Sequence, residues 1–522
     1  MKFIDIPPHR YYFVEILLPH KLAAMQQISI QEIQNFKGKY PKQLYLLFFT
    51  EMWERFTFYG MRTLLVAYMI SALHFGESKA YMIYGTQQSL IYAMMIFGGL
   101  LADKILGFRK SILWGGILMV FGSFMLAFKG EAFFYAGLAT VVVGNTFFKP
   151  NISTIVGNLY ANNDGRRDAG FSLFYMGINL GSILGGLLCG YVGETISWNL
   201  GFAIAGVFMI VGLVVFARGQ KMLGPIGLPP LQPATPKPSW ITRKDAFIFI
   251  TSICFIPLFV YLLNHFSYYN YVLNVLMIGS YSYALFVGWQ KGKEAFMKMI
   301  AALVLISFSI LFWAFYEQGG GSLNLFTLRN VNLLFMGMHL SGLALNNSIN
   351  GIMIVTLSPL FGLIWIWLAR SKREPNAAVK FALGLAQLGF GFYLLSYGAH
   401  FANSEGRIPL LIYALGYLFM STGELCLSPI GLSVITRLAP TSIVGFMMGV
   451  WFLASAYGQY LAGYISSLMS IPDESAGANV SSLQTLSIYA DGYGKIAVIS
   501  VISGIVLLAL SFWLKKCMED KK

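Results

Sequence analysis

The chain has 522 residues, 57% hydrophobic and 16% aromatic, with only 11% charged residues and a mean hydropathy of +0.65. Soluble domains carry about 25% charged residues, so this composition excludes a soluble protein and predicts an all-α membrane protein. The net charge of +14 raises nucleic acid as a partner, but the basic residues follow a topological pattern set out below, which points to a lipid bilayer instead.

Residues 1–43 are mixed and moderately polar, without a signal-peptide cleavage pattern. They read as a cytoplasmic extension with a short amphipathic helix around 9–34. Apolar segments follow near 44–74, 80–103, 111–128, 132–160, 168–189 and 198–217. Each is long enough to cross a hydrocarbon core of about 30 Å. The stretch GPIGLPPLQPATPKPS at 224–239 cannot continue a helix, so 218–245 reads as a linker. Two uncharged segments, 246–264 and 270–290, read as inserted peripheral helices. Six more follow near 298–318, 348–370, 378–399, 408–436, 442–466 and 493–515, before a tail at 516–522. The expectation is fourteen transmembrane helices: six in 44–217, two in 246–290 and six in 291–515.

An even number of crossings puts both termini on one side. With that side cytoplasmic, 28 of the 36 Lys and Arg residues lie inside and 5 lie outside, while Arg55, Arg62 and Lys149 remain within the membrane. This is the asymmetry of the positive-inside rule, and it predicts a multi-pass protein of the cell inner (plasma) membrane.

The intramembrane charges are the candidate site. On the first span Glu51, Glu54, Arg55, Phe58, Tyr59 and Arg62 fall within an arc of about 140° at helical spacing. Such a stripe must face protein or a water-filled cavity; a structural ion-pair network is the bland alternative. Lys149 stands beside Pro150 in GNTFFKPNISTIVGNLY, Glu317 ends the run FWAFYEQ, and Glu424 lies in STGELCLSPIGLS near Pro429. Cations thus sit in the first half and lone acids in the second, so ion pairs between halves would close one side and open on protonation. For Glu317 and Glu424 the alternative is a neutral structural carboxyl. The loop GGLLADKILGFRK at 98–110 resembles that of the major facilitator superfamily, with Asp103, Arg109 and Lys110 placed to bond helix ends across a moving interface. Cys189, Cys254, Cys426 and Cys517 show no metal spacing, and no enzyme motif stands out.

Together, Glu51-x-x-Glu54-Arg55-Phe56-x-x-Tyr59-Gly60, FFKPNISTIVGNLY followed by RRDAGFSLFYMGINLG, FWAFYEQ and GELCLSPIGLS resemble the proton-dependent oligopeptide transporter family, over roughly residues 41–515. The resemblance implies a major facilitator fold: two pseudosymmetric six-helix bundles plus the two extra helices of bacterial members. It implies a symporter, probing each side alternately, that imports di- and tripeptides with the proton as coupling ion, no other cofactor, and a monomeric state. By the same resemblance Glu51, Glu54, Arg55, Lys149 and Glu317 couple protons. Arg62 faces Glu317 at an outer gate, and Lys149 lies near Glu424 lower down; Asp103 and Arg109 also serve gating. Arg55, Tyr59, Arg62, Tyr92, Lys149, Asn179, Asn350, Glu424, Trp451 and Ser455 contact substrate. Departures are Phe58 where tyrosine is frequent, Gly351 where proline is common, and three glycines after Gln318. The rival readings are a carrier of another solute, such as nitrate, a drug-like molecule or an amino-acid derivative, and a non-transporting membrane sensor that binds peptide.

Overall fold

The computed structural model describes residues 29–161, 163–230, 241–427, 431–471 and 481–518. Of the amphipathic helix expected around 9–34, everything before residue 29 lies outside them, as do 231–240 of the linker, Pro429 and the tail from 519 on. What remains of that helix is one turn, α1 (Ile30–Gln34), begun by a capping box in which Ser29 and Glu32 satisfy each other's backbone N–H.

Six long helices pack together first: α2 (Lys42–Ser71), α3 (Glu77–Leu101), α4 (Phe108–Ala127), α5 (Glu131–Asn158), α6 (Arg167–Thr195) and α7 (Trp198–Gly219). A hairpin of α8 (Arg243–Asn264) and α9 (Phe266–Gln290) follows. A second group contains α10 (Lys293–Tyr316), α11 (Ser322–Asn330), α12 (Gly342–Arg370), α13 (Ala377–Tyr397), α14 (Leu410–Leu427), α15 (Gly431–Leu438), α16 (Val444–Ser467) and α17 (Ser482–Met518). A short hairpin of β1 (Leu334–Phe335) and β2 (Met338–His339) joins α11 to α12.

Among the described residues, 12 helices are long and apolar enough to cross a membrane. Helices α2 and α16 have the length, 30 and 24 residues, but are more polar; they complete the fourteen crossings. Their polarity has a use, since both line the central cavity described below. The start of α2 and the end of α17 therefore lie at one end of the molecule, here called the terminal end.

Two expected spans differ in detail. The span drawn near 298–318 stops at Tyr316, makes a 3-10 turn over Glu317–Gly319 and continues as α11, because three consecutive glycines do not favour helix. The span drawn near 408–436 is described as α14 up to Leu427 and as α15 from Gly431, with residues 428–430 outside the described residues. The span drawn near 493–515 is α17, 37 residues long. Its first turns are polar and escape a hydropathy reading, but Tyr489 and Tyr493 pack edge-on against Phe326 of α11. Pro150 is accommodated inside α5.

The two groups meet along α3–α16 and α6–α12. Close approach is paid in glycine: a Cβ on Gly85 of α3 would lie 2.7 Å from the Gly463 Cα of α16. Within the first group, a Cβ on Gly98 would lie 1.7 Å from the Thr146 carbonyl oxygen.

The inserted hairpin leaves many apolar side chains exposed, yet it ties to both groups. Asp245 pairs with Lys110 at 2.6 Å, and Trp114 Nε1 donates to Ser252 Oγ at 3.0 Å. On α9, Tyr269 OH meets Ser89 Oγ of α3 at 2.7 Å, while Tyr457 OH of α16 donates to Asn274 Oδ1 at 2.7 Å. Helix α9 thus covers the α3–α16 seam.

Candidate functional site

Hydrogen bonds and ion pairs between the two groups, among the described residues, run from mid-membrane to the end opposite the termini. Arg62 pairs with Glu317. Asn324 Nδ2 donates to the Thr63 carbonyl at 3.0 Å. Arg329 pairs with Glu77 at 2.6 Å, and Glu77 also accepts from the Ile471 N–H at 3.1 Å. Glu194 of α6 accepts from Ser341 Oγ at 2.6 Å and from the Leu343 N–H at 3.0 Å. That carboxylate caps the N-terminus of α12, where orphan N–H groups and the helix dipole favour an anion. The opposite end is therefore closed by buried and half-buried polar contacts.

Below this closure lies a cavity of about 330 Å³ between the groups. On the α2 stripe, Glu51 and Glu54 are fully buried and Arg55 nearly so. Arg55 forms a two-pronged pair with Glu54 and lies 3.6 Å from Glu51. Lys149 Nζ of α5 donates to Glu51 Oε1 at 2.5 Å. The second Glu51 oxygen has no partner among the described residues. Both cations reach the cavity wall and both acids sit behind them. Phe58 does not leave a gap: the Arg55 guanidinium lies over its ring at 4.6 Å, a cation–π contact in place of a hydroxyl.

At the deep end of the cavity Arg62 Nε donates to Tyr84 OH at 2.6 Å while its Nη2 holds Glu317. Tyr59 lies between the two arginines, with centroid distances of 6.0 Å to Arg55 and 5.7 Å to Arg62. On the second group, Glu424 of α14 accepts from Tyr316 OH and from Asn350 Nδ2, the latter at 3.3 Å. Asn350 also reaches Ser421 Oγ at 3.1 Å. Tyr92, Asn179, Trp451 and Ser455 complete the expected lining. Gly351 leaves α12 unbroken, and a Cβ there would come within 2.8 Å of Ile183 on α6.

Two expectations need correction. Lys149 binds Glu51, not Glu424: an acid on the same group is within reach, whereas Glu424 lies across the open cavity with its own neutral donors. Among the described residues, Asp103 and Arg109 make no hydrogen bond or ion pair that joins helix ends across an interface. Asp103 is exposed in a π-helical turn over Ala102–Leu106. Arg109 holds the carbonyls of Gly224 and Ile226, the latter at 2.7 Å, so it clamps the start of the linker onto α4.

Tyr175, Trp313, Tyr316, Asn346, Asn347 and Gln459 also line the cavity and were missed in sequence. A signal existed for some. Amides at 346, 347 and 350 interrupt an otherwise apolar span, and 451, 455 and 459 fall on one stripe at i, i+4, i+8. Aromatic residues carry no such mark, because buried and exposed positions of this chain both use them.

A model of the POT family matches residues 109–483. The chain is 34% identical over 509 residues to the uncharacterized transporter YclF of Bacillus subtilis (strain 168), covering 95% of this chain and 99% of that one. It is 31% identical over 487 residues to dipeptide and tripeptide permease B of Xenorhabdus bovienii (strain SS-2004), covering 92% and 97%. The crystal structure of a peptide transporter POT in complex with sulfate superimposes with a TM-score of 0.79 at 34% identity, over 94% of this chain and 100% of that chain. Matched along nearly its whole length in both sequence and helical architecture, this multi-span membrane chain belongs to the POT family of transporters.

Proposed function

We propose that this protein is a proton-coupled symporter that imports di- and tripeptides across the cell inner membrane, with both termini cytoplasmic. The observation that carries the reading is the charge layout of one cavity: Arg55 and Lys149 on one wall, Glu424 on the other. A zwitterionic peptide offers a carboxylate to the first pair and an ammonium to the second. Peptide side chains meet Tyr59, Tyr92 and Trp451, which favour no particular sequence.

Coupling follows from the acids behind the cations. Glu51 pairs with Lys149 and Glu54 with Arg55. A proton on either acid leaves a buried cation short of its partner, and a peptide carboxylate restores one. Proton and peptide binding then favour each other, a linkage that is reciprocal in free energy. A second proton at Glu317 releases Arg62 and loosens the closed end. The two groups then rock about the α3–α16 and α6–α12 seams. With the termini cytoplasmic, the described state has its outer side closed.

The test is uptake of a labelled dipeptide by proteoliposomes holding the purified protein. Accumulation above equilibrium with an inward proton gradient, and only equilibration without one, is the expected result. Accumulation indifferent to the gradient would remove proton coupling; no dipeptide uptake, with uptake of another small solute, would remove the substrate assignment.

A further inference from the structure

We infer that Gln459 of α16 is a substrate-contacting residue that accepts a hydrogen bond from the peptide group itself; this rests on the peptide reading above. The two charged walls account for the ends of a peptide, but nothing yet accounts for the amide between them. Gln459 lines the cavity and is 3% exposed, yet its side-chain oxygen has no hydrogen-bond partner among the described residues. Its neighbours in the wall behave differently. Asn346 is fully engaged, donating to the Gly319 carbonyl and accepting from Tyr413 and Tyr417. Asn350 commits its amide nitrogen to Tyr316, Ser421 and Glu424. Ser455 closes on the Trp451 carbonyl.

Buried polar groups in folded proteins are nearly always satisfied, and an exception calls for a ligand or a functional cause. The position suits this role. Gln459 lies one helical turn beyond Ser455 and two beyond Trp451, about 6 and 12 Å along the axis. It therefore shares their stripe and sits toward the deep end of the cavity, where the 3-10 turn carrying Glu317 packs on α16. The adjacent backbone is fixed: Gln318 Nε2 donates to the Ala462 carbonyl at 3.1 Å, and Gly85 of α3 abuts the Gln459 backbone oxygen. The terminal amide torsion of glutamine is soft and roughly two-fold, so its oxygen can turn to an arriving donor while the backbone stays in place. A neutral amide matches a neutral peptide group, and its buried oxygen discriminates against a substrate that has no N–H there.

The experiment is a cycle of ligand against protein. Alanyl-alanine is compared with alanyl-lactate, the ester that keeps both charged ends and loses only the peptide N–H. Each competes for a labelled dipeptide on reconstituted wild type and on Gln459→Leu, with Gln459→Met as the second apolar variant should the first fail to fold. In wild type the ester should bind at least tenfold more weakly than the amide. In the apolar variants that ratio should fall to about twofold or less, with the amide weakened and the ester nearly unchanged. A merely structural role would weaken both ligands alike and leave the ratio as in wild type; that result overturns the inference. Failure of alanyl-alanine to bind wild type at all would instead overturn the peptide reading, which keeps the two failures distinct.

Discussion

Replacing Glu317 with glutamine should unlatch the closed end. The Glu317 side chain is 7% exposed and that of Arg62 14%, so the pair is largely desolvated. Removing one partner of such a pair costs about 3–5 kcal/mol, chiefly because the other charge is left uncompensated. Arg62 keeps its bond to Tyr84 at 2.6 Å and reaches the cavity, which places the loss near about 3 kcal/mol. At about 1.4 kcal/mol per decade, the closed-to-open ratio should fall about 100-fold. The bonds of Asn324 and Arg329 to the first group, and of Glu194 to the second, remain, so the end loosens without the molecule coming apart. Spin labels at Ile196 and Met338, both exposed at that end on opposite groups, report the ratio as a distance distribution. In wild type, acid buffer should populate the longer distance. In Glu317→Gln the longer distance should dominate in alkaline and acid buffer alike. A variant that stays closed and still responds to pH would show that the sensing proton resides elsewhere.

Glu51→Gln or Glu54→Gln should abolish gradient-driven accumulation while sparing peptide exchange, because exchange needs no net proton movement; counterflow and gradient uptake in one preparation compare the two, and equal loss of both would reduce these acids to a structural role. A cysteine at Met336, which is 85% exposed at the end opposite the termini, should react with an impermeant reagent on intact cells, whereas one at Lys221 should not; the reverse pattern would invert the topology. Gly85→Ala should lower the unfolding temperature in detergent, since its Cβ would meet Gly463 backbone at 2.7 Å and overpacking of this kind costs about 1–3 kcal/mol; an unchanged temperature would mean that the α3–α16 seam can open without penalty.

The fold was legible because lipid imposes a simple rule: every crossing needs a long apolar helix with its backbone satisfied internally. Helix α2 was legible for the opposite reason, as the violation of that rule by Glu51, Glu54, Arg55 and Arg62 marked the cavity face. Distance across the cavity was not legible. Sequence shows that Lys149 needs an acid, but whether Glu51 or Glu424 supplies it depends on how far apart the two groups stand, and in the described state they are apart at that level. The fate of Arg109 was hidden similarly, because its partners are backbone carbonyls of the linker, which look alike in any sequence. Tyr316 was missed because a hydroxyl at the end of an aromatic run gives no sign that it will hold Glu424. Gln459 was missed because a single amide among apolar residues is often a satisfied one, and only the structure reveals that its oxygen lacks a partner.

The central claim is that one cavity holds a peptide by both ends, with Glu424 taking the ammonium and Arg55 and Lys149 the carboxylate. Competition by alanyl-alanine and by its N-acetylated form, measured at fixed pH on wild type and on Glu424→Gln, tests it most directly. Capping the amine leaves a desolvated carboxylate without its mate, which costs about 2–5 kcal/mol, so acetylation should weaken binding by one to several decades in wild type. In Glu424→Gln the same cap should cost little, since Tyr316 and Asn350 then hold a neutral amide that seeks no cation. An acetylation penalty of the same size in both proteins would mean that the amine binds elsewhere, and the orientation described here would be wrong.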